Sequence, residues 1–446
     1  MIMPTTQFHA WFAERTRISD CRVTPAPLDR LDGWFTDPQT GNLEHRSGRF
    51  YTVAGLEVVI EDREIRAWAQ PIIVQPEIGI LGILVKEING ILHFLMQAKV
   101  EPGNINGLQL SPTIQATRSN YTRVHQGSAI PYLQYFDAPQ TGRTLVHTLQ
   151  SEQGASFLNK RNRNMIVEVT EELPVMHGFC WLTLGQLHEL LSIRNLVHMD
   201  ARSVLSVIPS AAPACAAPAA AGGSFRGAMA RSLAAAEGLA NGTDDLMSWF
   251  TRVKVERSLS RRLIPLNQVK GWHRTRDRIL HDEGRYFCVL GVDVDASDRE
   301  VGHWSQPLIA PAGQGIVAFL TKQVDGVLHV LVQTRTEAGT FDVVELGPSV
   351  QCIPANHPES QPLFLDYVLA AAPGQIHFDC VHSEEGGRFY HAENRYLIVE
   401  ADDDFPVETP DGYAWATVSE LTALVRHGQY LNIEARCLLA CLRALA

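Results

Sequence analysis

The residues best suited to chemistry occur at the same spacing in two halves of the chain. Each half contains a histidine, a glutamine and a glutamate in that order: His93, Gln97 and Glu101, then His329, Gln333 and Glu337. Imidazole and carboxylate groups exchange protons near neutral pH, and amides hold polar ligands by hydrogen bonds. Because a segment that served folding alone would keep apolar periodicity, this polar set favours a functional face. A structural histidine bonded to a backbone carbonyl stays open as the alternative for His93 and His329.

A second shared pattern is a tryptophan followed two positions later by a glutamine. Trp68 and Gln70 form it in the first half, and Trp304 and Gln306 form it in the second. An indole face offers a platform for a planar ligand, and the amide beside it offers hydrogen bonds. The alternative is that each tryptophan is a core residue, since buried aromatics are the norm. The pattern alone leaves both interpretations open.

The halves diverge in a third polar region. Glu345 in the second half corresponds to Gln109 in the first, and only the carboxyl group can carry a proton. Tyr121 corresponds in the same way to His357. An enzyme needs only one complete set of catalytic groups, whereas a pair of binding modules should keep equivalent polar sets. The divergence therefore favours an enzyme in which one half catalyses.

These parallels belong to a long internal repeat. Residues 48–120 align without a gap on residues 284–356, and the tail MDAR (199–202) recurs as IEAR (433–436). Solenoid and propeller units span a few tens of residues, so a period of roughly 200 residues indicates a duplicated domain. We therefore predict a first repeat at 8–209, an Ala/Gly/Pro-rich linker at 210–243 with a loose helix near 226–237, and a second repeat at 244–446.

Within each repeat the pattern indicates strands paired into hairpins. β-Branched runs flank Asn89-Gly90 in the first repeat and Asp325-Gly326 in the second, and such dipeptides favour two-residue turns. Helices are expected at 182–191 and 417–426, where apolar residues recur at helical spacing behind a threonine suited to the N-cap. The predicted fold class is α+β, with a mixed or antiparallel sheet and flanking helices in each duplicated domain.

The composition is that of a globular protein with an acidic balance. Hydrophobic residues make up 45% and charged residues 20% of the chain, and the formal net charge is −11. Nucleic acid is disfavoured as a partner because binding a phosphate backbone needs a basic face. No apolar run reaches the roughly 18–20 residues of a membrane span, and the cysteines show no metal-knuckle spacing. We expect a cytoplasmic protein with reduced thiols, no membrane association and no metal.

Both halves resemble the NDP-hexose 2,3-dehydratases of deoxysugar and antibiotic biosynthesis. The resemblance is carried by GILVKEINGILHFLMQAKVEPGNINGLQLSPTIQATRSNYTRVHQG (82–127), by DREIRAWAQP and DREVGHWSQP, and by LIPLNQVKGW (263–272). It implies an enzyme acting on dTDP-4-keto-6-deoxy-D-glucose. Loss of the C2 hydroxyl would give dTDP-3,4-diketo-2,6-dideoxyglucose, an unstable product that a partner 3-ketoreductase reduces. The resemblance also implies two tandem Nudix-like domains and a homodimer.

The implied substrate supplies its own electron sink. Its C4 ketone acidifies the C3 proton, and the C2 hydroxyl lies β to that ketone, so neither PLP nor NAD is needed. The chain contains no Gly-rich dinucleotide turn, in agreement with a reaction without a cofactor. The protein must supply a base for the C3 proton, donors to the C4 oxygen and an acid for the departing hydroxide. One residue can serve as base and acid if the elimination is syn.

The resemblance and the polar pattern together nominate residues for these roles. Tyr121 in the first copy is the favoured acid/base, although His357 departs from the tyrosine that the family leads us to expect in the second. The other catalytic candidates are His93, Glu101, Glu345 and His329. The substrate-binding candidates are Trp68, Gln70, Gln97, Arg118, Asn120, Arg123, Arg163, Trp304, Gln306, Gln333, Asn356 and Arg395. The tryptophans suit stacking on thymine or the sugar, and the arginines suit the diphosphate; a solvated turn stays open for Arg163 and Arg395.

Two other functions need to be weighed. A Nudix-type hydrolase needs a G-x5-E-x7-R-E-x2-E-E-x-G run whose glutamates hold divalent ions, and the chain has no such run. A non-catalytic tandem of sugar-nucleotide-binding modules stays open as the main alternative. Equivalent polar sets in the two halves would favour that alternative over an enzyme.

Overall fold

The computed structural model describes residues 3–62, 64–117, 129–137, 142–209, 224–235, 243–296 and 301–446. The strands of the first repeat are β1 Cys21–Ala26, β2 Trp34–Thr36, β3 Leu43–His45, β4 Thr52–Glu61, β5 Ile65–Val74, β6 Gly79–Ile88, β7 Ile91–Val100, β8 Leu108–Ser111, β9 Ile114–Ala116, β10 Arg143–Ser151, β11 Arg161–Glu168 and β12 Phe179–Thr183. The strands of the second repeat are β13 Ser258–Ile264, β14 Trp272–Arg274, β15 Arg278–His281, β16 Phe287–Ala296, β17 His303–Pro311, β18 Gly315–Val324, β19 Val327–Arg335, β20 Glu345–Pro348, β21 Val350–Cys352, β22 Ile376–Ser383, β23 Glu393–Glu400 and β24 Tyr413–Thr417. The helices are α1 Thr5–Ile18, α2 Gln134–Asp137, α3 Leu184–Leu190, α4 Met199–Ser206, α5 Phe225–Ala234, α6 Thr243–Glu256, α7 Leu365–Leu369, α8 Val418–Leu424 and α9 Ile433–Arg443.

Each repeat contains a seven-stranded mixed sheet of the same topology. In the first repeat the order is β10-β11-β6-β7-β12, with β8 beside β7 and β9 beside β6. In the second repeat β22, β23, β18, β19 and β24 take the same places, with β20 beside β19 and β21 beside β18. The pairs β6–β11 and β18–β23 are parallel, and their neighbours are antiparallel. The prediction of a mixed α+β fold is confirmed.

The predicted hairpin turns lie at the centre of these sheets. Asn89 and Gly90 join β6 to β7 with φ angles of 53° and 77°, and Asp325 and Gly326 join β18 to β19 with 51° and 78°. Two consecutive left-handed residues are the signature of a type I′ turn, whose twist matches that of the strands it joins. The turn dipeptides therefore set the register of β6 on β7 and of β18 on β19.

The helices predicted after the last strand of each large sheet are also confirmed. Thr183 caps α3 and Thr417 caps α8, each by accepting a hydrogen bond from the third residue of its helix. Gln186 and Glu420 return a bond to the cap backbone, which completes a capping box in both repeats. Each cap contributes roughly 1 kcal/mol and fixes where the strand ends and the helix begins.

A smaller five-stranded antiparallel sheet in each half contains one strand from the opposite repeat. The strand β1 pairs along its whole length with β16, from Cys21 opposite Ala296 to Ala26 opposite Gly291. The equivalent strand β13 pairs with β4, beginning with Ser258 opposite Glu61. The first strands of the two repeats are therefore exchanged reciprocally. This exchange was not predicted, because pairing between distant strands leaves no local pattern in the sequence.

Part of the predicted linker packs onto the second repeat. Ser224 caps α5, and Ala228 and Met229 of that helix are fully buried. The hydroxyl of Ser232 donates to the carbonyl of Leu328 at 2.6 Å. The loose helix expected near 226–237 is thus a helix at 225–234 that is docked on the second repeat.

The two repeats share one hydrophobic cluster. The helices α4 and α9 contact each other within it, and apolar side chains of both large sheets belong to the same cluster. Each fully buried leucine or valine in such a cluster contributes roughly 1.5–3 kcal/mol through removal of apolar surface from water. The shared cluster holds the two repeats in one fixed arrangement.

Candidate active site

Two cavities lie at equivalent places in the two repeats. The first cavity, of about 340 Å³, is lined by Lys99, Glu101, Gln115 and Asn162 of the first repeat and by Trp304 and Gln306 of the second. The second cavity, of about 1050 Å³, is lined by the corresponding Arg335, Glu337, Gln351 and Asn394 and by Trp68 and Gln70 of the first repeat. Each cavity therefore rests on one large sheet and is completed by a strand of the opposite repeat.

The tryptophan and glutamine of each shared pattern act as one unit. The indole N–H of Trp304 donates to Oε1 of Gln306 at 2.8 Å, and Nε2 of Gln306 donates to the carbonyl of Gly387 at 2.6 Å. Trp68 and Gln70 have the same geometry beside the second cavity. Residues two apart on a strand share a face, which explains the spacing. The amide thus fixes the orientation of the indole that borders the cavity.

Glu101 is held from three sides in the first cavity. Its Oε2 lies 2.9 Å from Nε2 of His198, and its Oε1 accepts from Gln115 at 2.8 Å. Nζ of Lys99 lies 3.6 Å from Oε1. The backbone N–H of Asp200 donates to Nδ1 of His198 at 3.2 Å, so the imidazole carries its proton on Nε2 and donates it to Glu101. The carboxylate is therefore oriented before any ligand binds.

The equivalent glutamate of the second cavity is held differently. Oε2 of Glu337 accepts from the backbone N–H of Ala155 at 3.1 Å, and its Oε1 lies 3.3 Å from Arg335. Asn432 stands where His198 stands in the first repeat, and it donates to Gln351. Because an amide does not exchange protons near neutral pH, the second cavity lacks the carboxylate–imidazole pair of the first.

Buried ionisable groups give the first cavity unusual protonation. Burial raises the pKa of Glu152, and it raises that of Asp200 well above its ordinary value, with Glu152, Glu385 and Glu101 adding to the shift of Asp200. Burial also raises the pKa of Glu385 to about 8. Burial lowers the pKa of Lys160 to about 8, against the attraction of Glu152. Proton donors and acceptors thus coexist there near neutral pH.

A tyrosine and an arginine form one wall of the first cavity. The hydroxyl of Tyr51 donates to the carbonyl of Pro307 in the opposite repeat. The guanidinium carbon of Arg388 lies 4.2 Å from the Tyr51 ring centroid, and Nη1 of Arg388 donates to the carbonyl of Gly387 at 2.7 Å. Burial raises the pKa of the Tyr51 phenol, so it stays a neutral donor. This wall offers a positive charge and a fixed aromatic face.

The two cavities differ in more than the histidine. Tyr51 corresponds to Phe287 in the gapless alignment of the repeats. Lys160 corresponds to Ala392, since Asn162 and Asn394 occupy matching positions beside β6 and β18. The first cavity therefore has a hydroxyl and a cation at two positions where the second has the apolar side chains of Phe287 and Ala392.

The histidines predicted as catalytic are directed elsewhere. Nδ1 of His93 lies 2.8 Å from the carbonyl of Ile91, and Nδ1 of His329 lies 3.0 Å from that of Val327. Neither histidine lines either of the two cavities, and the same is true of Gln97 and Gln333 on the same strands. Both histidines thus bond to a backbone carbonyl of their own hairpin, which is the structural alternative to a catalytic role.

The arginines of the shared Asn-Arg pairs also point away from both cavities. Arg163 donates to His147 at 3.0 Å and to the carbonyl of Phe136, and Arg395 makes a two-point ion pair with Asp379 at 2.8 and 2.6 Å. Successive residues of a strand face opposite sides of the sheet. It is consequently the preceding asparagine of each pair that lines the cavity.

Glu345 is placed at the contact between the repeats. It is 2% exposed and hydrogen-bonds to Ser151 of the first repeat, while its counterpart Gln109 bonds to Ser383 of the second. Burial raises the pKa of Glu345 to about 7. Glu345 lines neither of the two cavities, and its side chain is directed toward the opposite repeat. The divergence between Gln109 and Glu345 is thus an interface feature.

The remaining predicted residues divide between the cavities and the undescribed part of the chain. Glu101, Trp304 and Gln306 line the first cavity, and Trp68, Gln70 and Asn356 line the second. The backbone N–H of Tyr286 donates to Asn356 at 2.8 Å. The favoured acid/base and its neighbours lie outside the described residues: Arg118, Asn120, Tyr121 and Arg123.

Several residues that line the first cavity were missed at the sequence level, namely Tyr51, Glu152, Lys160, Asp200 and Arg388. His198, which bonds to Glu101, was missed as well. The recurrence of MDAR as IEAR was a signal, since its second residue, Asp200 or Glu434, lines a cavity in each repeat. Lys160 and Arg388 carried no comparable signal because their counterparts, Ala392 and Ser156, are different residue types. Residues that the opposite repeat contributes to a cavity can be assigned to it only when the strand exchange is known.

Two features of the described residues bear on other functions. Among them, no group of three or more His, Cys, Asp or Glu side chains is arranged to hold a metal ion. None of the helices in the described ranges has the length and apolar character to cross a membrane.

The chain matches a known family over both repeats. A family model described as NDP-hexose 2,3-dehydratase matches residues 5–208 and 243–442. Three curated relatives are named dTDP-4-dehydro-6-deoxy-alpha-D-glucopyranose 2,3-dehydratase. The relative from Streptomyces violaceoruber is 51% identical, covering 100% of this chain and 98% of its own. Those from Saccharopolyspora spinosa and Amycolatopsis orientalis are 49% and 46% identical, each covering 100% of this chain and 92% and 91% of their own.

A likeness to a solved structure is limited to part of the chain. A crystal structure of an ADP compounds hydrolase is 16% identical with a TM-score of 0.24, covering 35% of this chain and 84% of that one.

Proposed function

The chain belongs to the NDP-hexose 2,3-dehydratase family, and from this we propose that it removes the C2 hydroxyl of dTDP-4-keto-6-deoxy-D-glucose to give dTDP-3,4-diketo-2,6-dideoxyglucose. The observation that carries the proposal is the identity of 46–51%, over the whole chain, to three relatives named for this substrate and reaction. An enzyme that expels water in this way is a carbon–oxygen lyase. The similarity extends over both repeats and not over a fragment of the chain alone, which supports the assignment.

The chemistry requires few groups from the protein. The C4 ketone accepts the electrons released when the C3 proton leaves, and the resulting enolate expels the β hydroxyl at C2. The protein must hold a base near C3, donate hydrogen bonds to the C4 oxygen and protonate the leaving hydroxyl. The proposal therefore includes no cofactor, and the substrate itself is the electron sink.

We assign the reaction to the first cavity, with Glu101 as the base for the C3 proton. His198 and Gln115 fix both carboxylate oxygens, so the base is oriented in advance, which lowers the entropic part of the barrier. The second cavity has Asn432 in place of His198 and Phe287 in place of Tyr51. The complete set of polar groups therefore supports catalysis in one cavity only.

The cations of the first cavity suit the diphosphate of the substrate. Lys99, Lys160 and Arg388 line it, and all three come from different segments of the chain. A bound diphosphate would return the pKa of Lys160 toward its ordinary value, because an adjacent anion favours the ammonium form. Trp304 suits stacking on thymine or the sugar, with Gln306 keeping the indole in place.

The second cavity is proposed to bind a ligand without catalysis. Trp68, Gln70 and Asn356 line it beside Arg335, so it keeps an aromatic face and a cation. A non-catalytic tandem binding protein, the alternative function, would keep equivalent sets in both halves. The differences at Tyr51 and Lys160 count against that alternative.

Four predicted residues outside the described part of the chain stay in the proposal. Tyr121 remains a candidate acid or base, and Arg118, Asn120 and Arg123 remain candidates for the diphosphate. Their support is the resemblance of residues 82–127 to the family.

The remaining parts of the proposal concern the protein's setting. We propose a tandem Nudix-like fold, a homodimer, a cytoplasmic location and a downstream 3-ketoreductase in the synthesis of deoxysugars for antibiotics. The free thiols of the described cysteines support a reducing compartment. Light scattering on the purified protein tests the dimer.

The direct test is turnover of the proposed substrate. Purified protein is incubated with dTDP-4-keto-6-deoxyglucose, a 3-ketoreductase and NADPH, and the 2-deoxy product is detected by mass. Without the reductase we expect free TDP, because the diketo product decomposes. Binding of the sugar nucleotide with neither product nor TDP would instead support the tandem binding protein.

A further inference from the structure

The first cavity contains a second carboxyl group beside the ring that holds Glu101. Oδ2 of Asp200 lies 3.9 Å from Nδ1 of His198, whose Nε2 lies 2.9 Å from Glu101. One imidazole is thus flanked by a carboxyl group on each nitrogen. Asp200 lines the cavity, is 2% exposed, and its Oδ1 makes no hydrogen bond within the described residues. A buried polar atom of this kind calls for a partner, and the cavity is where a ligand would provide one.

We infer that Asp200 is the proton donor to the departing C2 hydroxyl, with Glu101 as the base in the same cavity. The inference rests on the proposed function and deepens it, because it assigns the acid that the elimination requires. Asp200 would touch the leaving oxygen itself and would therefore be a catalytic residue.

The surroundings of Asp200 favour its neutral form. Burial is the main cause of its raised pKa, and the carboxylates of Glu152, Glu385 and Glu101 add to it, while Lys99 opposes it. Asp200 also lies in the first turn of α4, where the helix dipole favours a negative charge. The effect of the helix dipole on the pKa of Asp200 is smaller than that of complete burial and is outweighed by it. An acid kept protonated at neutral pH is what expulsion of hydroxide needs.

The proton balance closes with these two groups. Glu101 takes the C3 proton, and the C3–H electrons move into the C4 carbonyl to form an enolate. The enolate collapses to a C2–C3 double bond, the C2–O bond breaks, and Asp200 gives its proton to the leaving oxygen, which departs as water. The C3 enol then becomes a ketone: Glu101 returns its proton to C2, and the C3 hydroxyl proton passes to Asp200. Both side chains are restored, and the net loss is one water.

The second repeat provides a matched control. Glu434 occupies the position of Asp200, lines the second cavity and also has an oxygen without a hydrogen bond within the described residues. Asn432 replaces the intervening histidine, so this carboxyl group is not paired with Glu337 through an imidazole. The variants Asp200→Asn and Glu434→Gln remove the same proton from equivalent places.

The test compares two substrates in the two variants. With dTDP-4-keto-6-deoxyglucose we expect Asp200→Asn to lower kcat by about 10²–10⁴-fold and Glu434→Gln to lower it by less than about tenfold. With the 2-deoxy-2-fluoro analogue, fluoride leaves with the C2 bonding electrons and needs no proton donor. The loss in Asp200→Asn should then shrink to below about tenfold, which also reports that the variant is folded.

The pH profile adds an independent readout. The wild-type kcat should fall as pH rises through the pKa of Asp200. The residual kcat of Asp200→Asn should not show this decrease at high pH. Equal losses on both substrates, an unchanged pH limb, or full activity of Asp200→Asn would each overturn the inference. A wild-type enzyme that turns over neither substrate would instead contradict the proposed function, so the two failures are distinguishable.

Discussion

The guanidinium of Arg202 donates a hydrogen bond to the backbone carbonyl of Ser383, in the opposite repeat, at 2.6 Å. Arg436 makes the equivalent bond to the carbonyl of Ser151, and both arginines are fully buried. Each bonded serine stands immediately before residues that line the cavities, such as Glu152 after Ser151. The buried arginines thus position the walls of both cavities from across the repeat boundary.

We expect Arg202→Ala to destabilise the protein by roughly 2–5 kcal/mol, because it leaves a buried carbonyl without its donor and creates a cavity. The guanidinium also lies 4.7 Å from the ring of Tyr396, a contact that would be lost. Urea unfolding of wild type and variant measures the difference.

Arg194→Ala is the matched control. Arg194 also reaches across the repeats, to Glu393 at 3.0 Å, but its side chain is 64% exposed. An exposed ion pair contributes about 0–1 kcal/mol. If the two variants lost equal stability, the bond between Arg202 and Ser383 would not be a principal link between the repeats.

Paired substitutions should identify the cavity that catalyses. Glu101→Gln removes the proposed base of the first cavity, and Glu337→Gln makes the same change in the second. We expect the first to lower kcat by about 10²–10⁴-fold and the second to leave kcat within a few-fold of wild type. Turnover coupled to the ketoreductase measures both. The reverse ranking would move the reaction to the second cavity.

The exchange of strands between repeats leads to a prediction about the tryptophans. Trp304 belongs to the second repeat but lines the first cavity, and Trp68 does the opposite. We therefore expect Trp304→Ala, rather than Trp68→Ala, to raise KM for the sugar nucleotide, by about 10-fold if the indole stacks on the base or sugar. Steady-state kinetics with both variants checks this. A larger effect of Trp68→Ala would contradict the assignment of catalysis to the first cavity.

The sequence predicted local features of the fold well and distant ones poorly. The turn at Asn89 and the capping box at Thr183 follow from residues a few positions apart, so each is readable from a short window. The pairing of β1 with β16 depends on residues hundreds of positions apart and has no local signature. Consequently Trp304 was recognised as a candidate, but the cavity that it serves was not assigned.

The candidate site shows the same division. Glu101 was identified because the repeat preserves it, and the structure brings it to a cavity. Arg163 was chosen for its charge, although strand alternation places its neighbour Asn162 on the cavity face. Asp200 was noticed only as part of the recurring tail MDAR, and His198 was not noticed, since nothing in a sequence shows that a helix start will approach Glu101.

Glu345 should make the stability of the protein depend on pH. Its pKa is raised from an ordinary value of 4.5 to about 7 by burial. A raised pKa in the folded state contributes stability that is complete below pH 4.5 and is lost as pH rises through about 7. The variant Glu345→Gln introduces the residue type found at the equivalent position 109. Its free energy of unfolding should therefore equal that of wild type near pH 4.5 and exceed it by roughly 1–3 kcal/mol above pH 8.

Urea unfolding at several pH values measures this effect, and Gln109→Glu is the mirror variant. Because Gln109 is fully buried beside Ser383, a carboxyl group there should introduce a second loss of stability as pH rises. Turnover of Glu345→Gln should stay close to wild type, since Glu345 lines neither of the two cavities. A variant less stable than wild type at pH 8, or one that has lost turnover, would mean that the ionised carboxylate of Glu345 has a role that its burial between the repeats does not explain.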